Sequence, residues 1–215
     1  MVYNISMKHL LSFAIILLLS SYINLLAKED LITDAIVNKA YAKYGKFAKN
    51  RFIQLNQKII KKLKQSKAIK KLTFVNSWFN KIQYRSDKKI YGVSDYWATL
   101  YEFTGKGMGD CEDYTIAKYY TLKELGINPR RMKFTYVVYI NKSGKKISHM
   151  VLSYLKVPKP KSMNDILILD NTNKQVLPAS KRKNIIKMVK MINGDTGPKS
   201  KKWKKMEKNM KRKKL

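Results

Sequence analysis

Gly107-Met108-Gly109-Asp110-Cys111-Glu112-Asp113-Tyr114, continued by Thr115-Ile116-Ala117-Lys118-Tyr119-Tyr120-Thr121-Leu122-Lys123-Glu124-Leu125-Gly126, reads as a glycine-containing loop entering a helix. Tyr114, Ala117, Thr121 and Leu125 fall on one helical face, Asp110 is a suitable N-cap, and Gly126 with Pro129 supplies the stop. Cys111 therefore sits in the first helical turn, where positive potential favours a thiolate. It is the only cysteine of the chain, which excludes an intrachain disulfide framework and a cysteine-rich zinc site. A lone cysteine on a helix is by default a small core residue, so its partners decide its meaning.

Downstream, the period changes from helical to alternating. Lys133 to Ile140 is rich in Tyr, Val and Phe; Lys142-Ser143-Gly144-Lys145 forms a hairpin turn; and Ile147 to Val157 returns as an antiparallel strand. Ile147, His149, Val151, Ser153 and Leu155 share one face of that strand. His9 lies in an N-terminal apolar segment, which leaves His149 as the one imidazole of the folded region. A third short strand, Ile166 to Leu169, runs into Asp170-Asn171-Thr172-Asn173, a turn. Cys111, His149 and Asp170 thus follow in the order nucleophile, base and orienting carboxylate, although each alone reads as core cysteine, satisfied strand histidine and turn aspartate.

Upstream, Asp30 to Ile69 has helical spacing with Gly45 as a divider, and Leu72 to Phe79 resumes it. Ile82 to Gly109, with many aromatics and turn-formers, reads as an irregular loop folded on the core. Helices come first and the sheet second, in a single α+β domain.

These pieces together resemble the bacterial transglutaminase-like cysteine proteases, the LapG-like periplasmic adhesin proteases. The resemblance is carried by the GDCEDY helix, by Ser148-His149-Met150-Val151-Leu152, by Leu169-Asp170-Asn171 with Leu177-Pro178-Ala179-Ser180, and by Tyr91-Gly92-Val93-Ser94-Asp95-Tyr96-Trp97-Ala98-Thr99, over residues 75–193. Leu100 stands where the family usually has proline. The resemblance implies a papain-like, transglutaminase-type core with N-terminal helices, the nucleophile at a helix N-terminus and an antiparallel sheet. It further implies a triad of Cys111, His149 and Asp170 that hydrolyses peptides through a thioester. The backbone N–H of Cys111 is one oxyanion donor, and Trp97 is a candidate for the second. The implied biology is cleavage near the N-terminus of a large secreted adhesin, biofilm dispersal, and restraint by an inner-membrane cyclic di-GMP receptor.

Asp110, Glu112 and Asp113 place three carboxylates within four residues of an otherwise basic chain, a cluster that asks for a counter-ion. Oxygen ligands suit a hard cation, and the resemblance implies Ca2+ at these three residues. Helix-dipole complementation explains one carboxylate better than three.

Lys8 and His9 precede an apolar stretch from Leu10 to Ala27, which reads as an export signal or a membrane anchor over residues 1–27 and directs the domain, residues 28–195, to the periplasm. The balance of 46 Lys and Arg against 14 Asp and Glu gives a formal charge of +32 and favours anionic contacts. Export argues against nucleic acid and leaves an anionic membrane surface or an acidic protein as partner. Residues 196–215 form a basic C-terminal tail, of which Lys199 to Leu215 reads as disordered or as a marginal helix. Two rival functions remain: a transglutaminase that passes the same thioester to an amine, and a basic binding module in which Cys111 is structural.

Overall fold

The computed structural model of the chain describes residues 30–141 and 143–215. The leader read over residues 1–27, and Lys142 in the hairpin turn, lie outside them. Three helical segments open the domain: α1 (Asp34–Tyr44), α2 (Lys46–Gln54), which continues into a π-helical turn at Leu55–Lys61, and α3 (Ala68–Phe79). Thr33 caps α1, and Gly45, at φ +77°, ends it where the sequence places the divider. The periodic apolar positions Ile36, Ala40, Phe52, Leu55, Leu72, Val75 and Phe79 are buried, and most of the lysines between them face water, Lys71 instead donating to the Leu125 carbonyl at 2.6 Å.

Residues 82–109 are more ordered than the predicted loop. A two-residue parallel pair joins β1 (Gln83–Tyr84) to β2 (Met108–Gly109), with helices α4 (Asp87–Tyr91) and α5 (Leu100–Lys106) between them. A capping box starts α5: Thr99 Oγ1 accepts the Glu102 N–H at 2.9 Å, and Glu102 Oε2 accepts the Thr99 N–H at 3.0 Å. The T-x-x-E signature was present in the sequence but was outweighed there by the aromatic, turn-rich composition around it. Leu100 is the first residue of this helix, the position that best tolerates proline, so the family difference leaves the backbone path intact.

Helix α6 (Cys111–Glu124) follows, then a 3-10 turn and a five-stranded antiparallel sheet in the order β6-β5-β4-β3-β7. Its strands are β3 (Met132–Ile140), β4 (Lys146–Leu155), β5 (Ile166–Asp170), β6 (Asn173–Pro178) and β7 (Ile185–Asn193). The three central strands match the predicted ones. Both edge strands escaped sequence reading because β6 is polar and ends in proline, and β7 interleaves lysines with exposed Ile186, Val189 and Met191.

The expectation of a disordered or marginal tail is corrected. Residues Lys201–Lys211 form α7, capped by Ser200, with Trp203, Met206 and Met210 buried. Trp203 meets Phe134 edge-on at 4.9 Å between ring centroids, and Trp97 at 6.3 Å. The i, i+3, i+7 stripe of these three residues was hidden by the basic residues around it. Trp203→Ala is expected to destabilise the domain by about 3–5 kcal/mol, read by urea unfolding; a change under about 1 kcal/mol would mean that α7 is not part of the core. Among the described residues no helix is long and apolar enough to cross a membrane.

Candidate active site

Gly109 enters the site because nothing larger fits: a Cβ there would lie 2.5 Å from the Phe103 ring and 2.6 Å from Asp113 Oδ2. Asp113 is fully enclosed, accepting the Asp110 N–H at 3.2 Å and the Ala98 N–H at 2.8 Å, which ties the segment before α5 to the start of α6. Cys111 is held by that frame at the first position of α6. Its backbone N–H belongs to the first turn, where such groups have no intrahelical partner.

The end of β5 explains how α6 meets the sheet. Strand β5 pairs with β4 from Leu152 onward and stops at Asp170, leaving the β4 backbone at Met150 open on that side. Helix α6 occupies the gap: Thr115 Oγ1 donates to the Cys111 carbonyl at 2.8 Å and lies 3.3 Å from the Met150 carbonyl. The first turn of α6, which carries Cys111, is thereby placed against Met150, the residue after His149.

His149 is 7% exposed and its Nε2 lies 2.9 Å from Asp170 Oδ1. The other carboxylate oxygen, Oδ2, accepts the Thr172 hydroxyl at 2.7 Å and Arg182 Nη2 at 2.5 Å, and the Thr172 N–H donates to Oδ1 at 2.9 Å. Burial alone would raise the Asp170 carboxyl, but the bond and charge of His149, the Arg182 guanidinium and the Thr172 N–H together hold it well below the usual carboxylate range. An ionised Asp170 keeps the imidazole proton on Nε2, so Nδ1 is the free base. Arg182, 2% exposed in the turn between β6 and β7, escaped sequence reading: one arginine among 46 basic residues carries no local mark of burial. Below the pair, buried Lys118 donates to Asn76 Oδ1 at 2.8 Å, and burial lowers its pKa to about 7.

The thiol itself hydrogen-bonds Glu112 Oε2 at 2.8 Å, not the imidazole. Burial, the Glu112 charge and that bond push the Cys111 thiol up, and Asp110 adds to the rise. Tyr84 and Tyr136 lie in the same field; burial and the nearby anionic groups push Tyr84 up to about 12, so it remains a neutral hydroxyl donor.

The predicted ligand set is divided by the structure. Ligand atoms of Asp87, Asp110 and Asp113 lie within 4.8 Å of one another, whereas Glu112 groups with Asp110 and Cys111. Glu112 Oε2 also bonds the thiol at 2.8 Å, and Asp110 is common to the two groups. Asp87, from a different helix, was missed because its role depends on α4 folding over the site. Its Oδ2 accepts the Tyr96 N–H at 2.5 Å, while Oδ1, like Asp110 Oδ1, is buried without a partner. Two orphaned carboxylate oxygens facing a third buried carboxylate fit a hard cation. Trp97 Nε1 is likewise buried without a partner, its ring against Trp203, and the structure gives it no bond at the thiol.

The family model described as bacterial transglutaminase-like cysteine proteinase matches residues 35–211, a span that includes α7. The structure of Legionella pneumophila LapG is 33% identical, covers 82% of this chain and 96% of its own, and superposes with a TM-score of 0.64. Its calcium-bound form gives 33% identity, coverage of 81% and 97%, and a TM-score of 0.63; its EGTA-treated form gives 31%, 82% and 96%, and 0.63. No curated protein matches the chain significantly. The chain belongs to the bacterial transglutaminase-like cysteine proteinases.

Proposed function

We propose that this protein is an exported, calcium-dependent cysteine endopeptidase that cuts the N-terminal region of a large surface adhesin in the periplasm, releasing it and promoting biofilm dispersal. The observation that supports the reading is that Thr115 holds the first turn of the Cys111 helix against Met150, one residue from a His149 whose Nε2 is fixed by a buried Asp170–Arg182 pair. In this reading His149 Nδ1 takes the thiol proton, and Cys111 Sγ bonds to the scissile carbonyl carbon. The C–N bond breaks, and the proton passes from His149 to the departing amine. Water activated by His149 then cleaves the thioester, releasing the acid and restoring the thiol. The Cys111 N–H meets the developing oxyanion.

A purified N-terminal fragment of a large surface adhesin from the same organism is expected to give two products with one new amino terminus. A fluorescent amine added to the reaction is expected to stay unincorporated; its incorporation into a glutamine donor would instead make the protein a transglutaminase. The inner-membrane cyclic di-GMP receptor is proposed to act by occluding the same cleft.

Asp87, Asp110 and Asp113 would hold calcium, and Glu112 would reach the ion only by leaving the thiol. The ion would supply charge neutralisation for the acidic cluster. Burial, then the Glu112 and Asp113 charges, push Asp110 up to about 9 from 3.8. A carboxyl raised in the folded state stabilises it fully below its unfolded pKa and loses that contribution as pH climbs towards the folded one. The stabilising increment from calcium over EGTA in thermal unfolding is therefore expected to grow from pH 5 to pH 8. An increment that stays flat across that range, or cleavage that persists in excess EGTA, would remove the ion from this site.

A further inference from the structure

Every exposed residue from Lys201 to the end of the chain is lysine or arginine: Lys201, Lys202, Lys204, Lys205, Lys208, Lys211, Arg212 and Lys214. The apolar stripe of the same helix is spent inside the domain on Trp203, Met206 and Met210. Helix α7 is therefore unlike an interfacial amphipathic helix, which needs its apolar face for lipid. Beyond its C-terminal end, Arg212, Lys213, Lys214 and Leu215 close a cavity of about 840 Å³ against Lys39, Ala42 and Lys43 of α1, in which Lys43 Nζ donates to a Leu215 oxygen at 2.5 Å and Lys214 Nζ pairs with Glu102 at 3.3 Å, while Lys39 and Arg212 add exposed cations. Four residues on from Lys43, Phe47 stands 80% exposed at the start of α2.

We infer that this cavity and the outer face of α7 form a docking surface for an anionic phospholipid bilayer, held by charge with α7 remaining folded on the domain. Multiple cations along an 11-residue helix, roughly 16 Å, match an array of headgroups better than one small anion. An exposed phenylalanine beside them suits an interface with an apolar interior. Chain connectivity also favours it: Lys39 follows the apolar leader ending at Ala27 by 12 residues, a reach of at most about 40 Å. The inference is independent of the peptidase chemistry.

The test is flotation of the full chain with vesicles of phosphatidylcholine alone or mixed with phosphatidylglycerol. Binding to neutral vesicles reports the leader and is subtracted. Lys39→Glu/Lys43→Glu/Arg212→Glu is expected to weaken the phosphatidylglycerol-dependent binding roughly a hundredfold. Lys58→Glu/Lys61→Glu/Lys62→Glu, with the same charge change on another exposed stretch, is expected to weaken it less than fivefold. Equal losses in the two variants would reduce the effect to net charge and overturn the assignment. Should the first variant melt early, Lys39→Gln/Arg212→Gln serves in its place, with about a tenfold loss expected. Displacement by millimolar inorganic phosphate at constant ionic strength would assign the cavity to a free anion instead. Quenching of Trp203 by bromolipid would mean that α7 leaves the domain and inserts; no quenching is expected.

Discussion

Cys111→Ala is expected to abolish peptide cleavage, by on the order of 10⁴- to 10⁶-fold in kcat, and to shift the melting temperature by no more than about 2 °C. The size follows from the chemistry. Without Sγ no thioester forms, and what survives is only the binding of substrate and the oxyanion donor. The small thermal effect follows from the surroundings: the thiol is only partly buried, its hydrogen bond goes to Glu112, and the frame that holds this turn runs through Gly109, Asp113 and Thr115 instead. Retained cleavage would make Cys111 structural and leave the basic binding module standing.

Asp170→Asn is expected to lower kcat by about 10⁴-fold and, unlike the cysteine change, to destabilise the domain by about 3–5 kcal/mol. Asparagine keeps the shape but loses the charge, and its amide N–H can donate to His149 Nε2 and so favour the wrong tautomer. It also strands Arg182, whose side chain is 1% exposed and whose Nη1 already lacks a partner. The two effects come apart in a double variant. Asp170→Asn/Arg182→Met removes the stranded cation, so part of the stability is expected to return while the activity does not. Additive losses of stability would mean that the two side chains do not act as a pair. By linkage, the depressed folded pKa of Asp170 makes its stabilisation present above the unfolded carboxylate range and lost only as the pH falls below it.

Much of this site was legible because local signals were strong. A glycine that cannot accept a Cβ, an aspartate cap and a cysteine at the first helical position sit within three residues, and the period change after Gly126 marks where helix gives way to sheet. His149 was readable by scarcity. Arg182 and Asp87 were not readable, since each becomes meaningful only when a distant segment folds over the cleft. The same holds for α7: its charge composition suggested disorder, and the apolar stripe counts for more only once Phe134 and Trp97 are placed beneath Trp203. The resemblance of residues 75–193 supplied the fold, and the family match over residues 35–211 extends it to both ends of the described domain. Glu112 shows what spacing alone leaves open. Spacing put three carboxylates together, but consecutive helical positions point in different directions, so one of the three turns to the thiol.

The activation of Cys111 by His149 is open to direct measurement through the rate of iodoacetamide alkylation against pH, with calcium present. Burial and the Glu112 charge push the thiol up, so the imidazole's contribution is read as a difference between two proteins: His149→Ala is expected to react at least tenfold more slowly than wild type at pH 7 and to have its midpoint moved upward. Equal rates and equal midpoints in the two proteins would contradict an imidazole-activated nucleophile at Cys111.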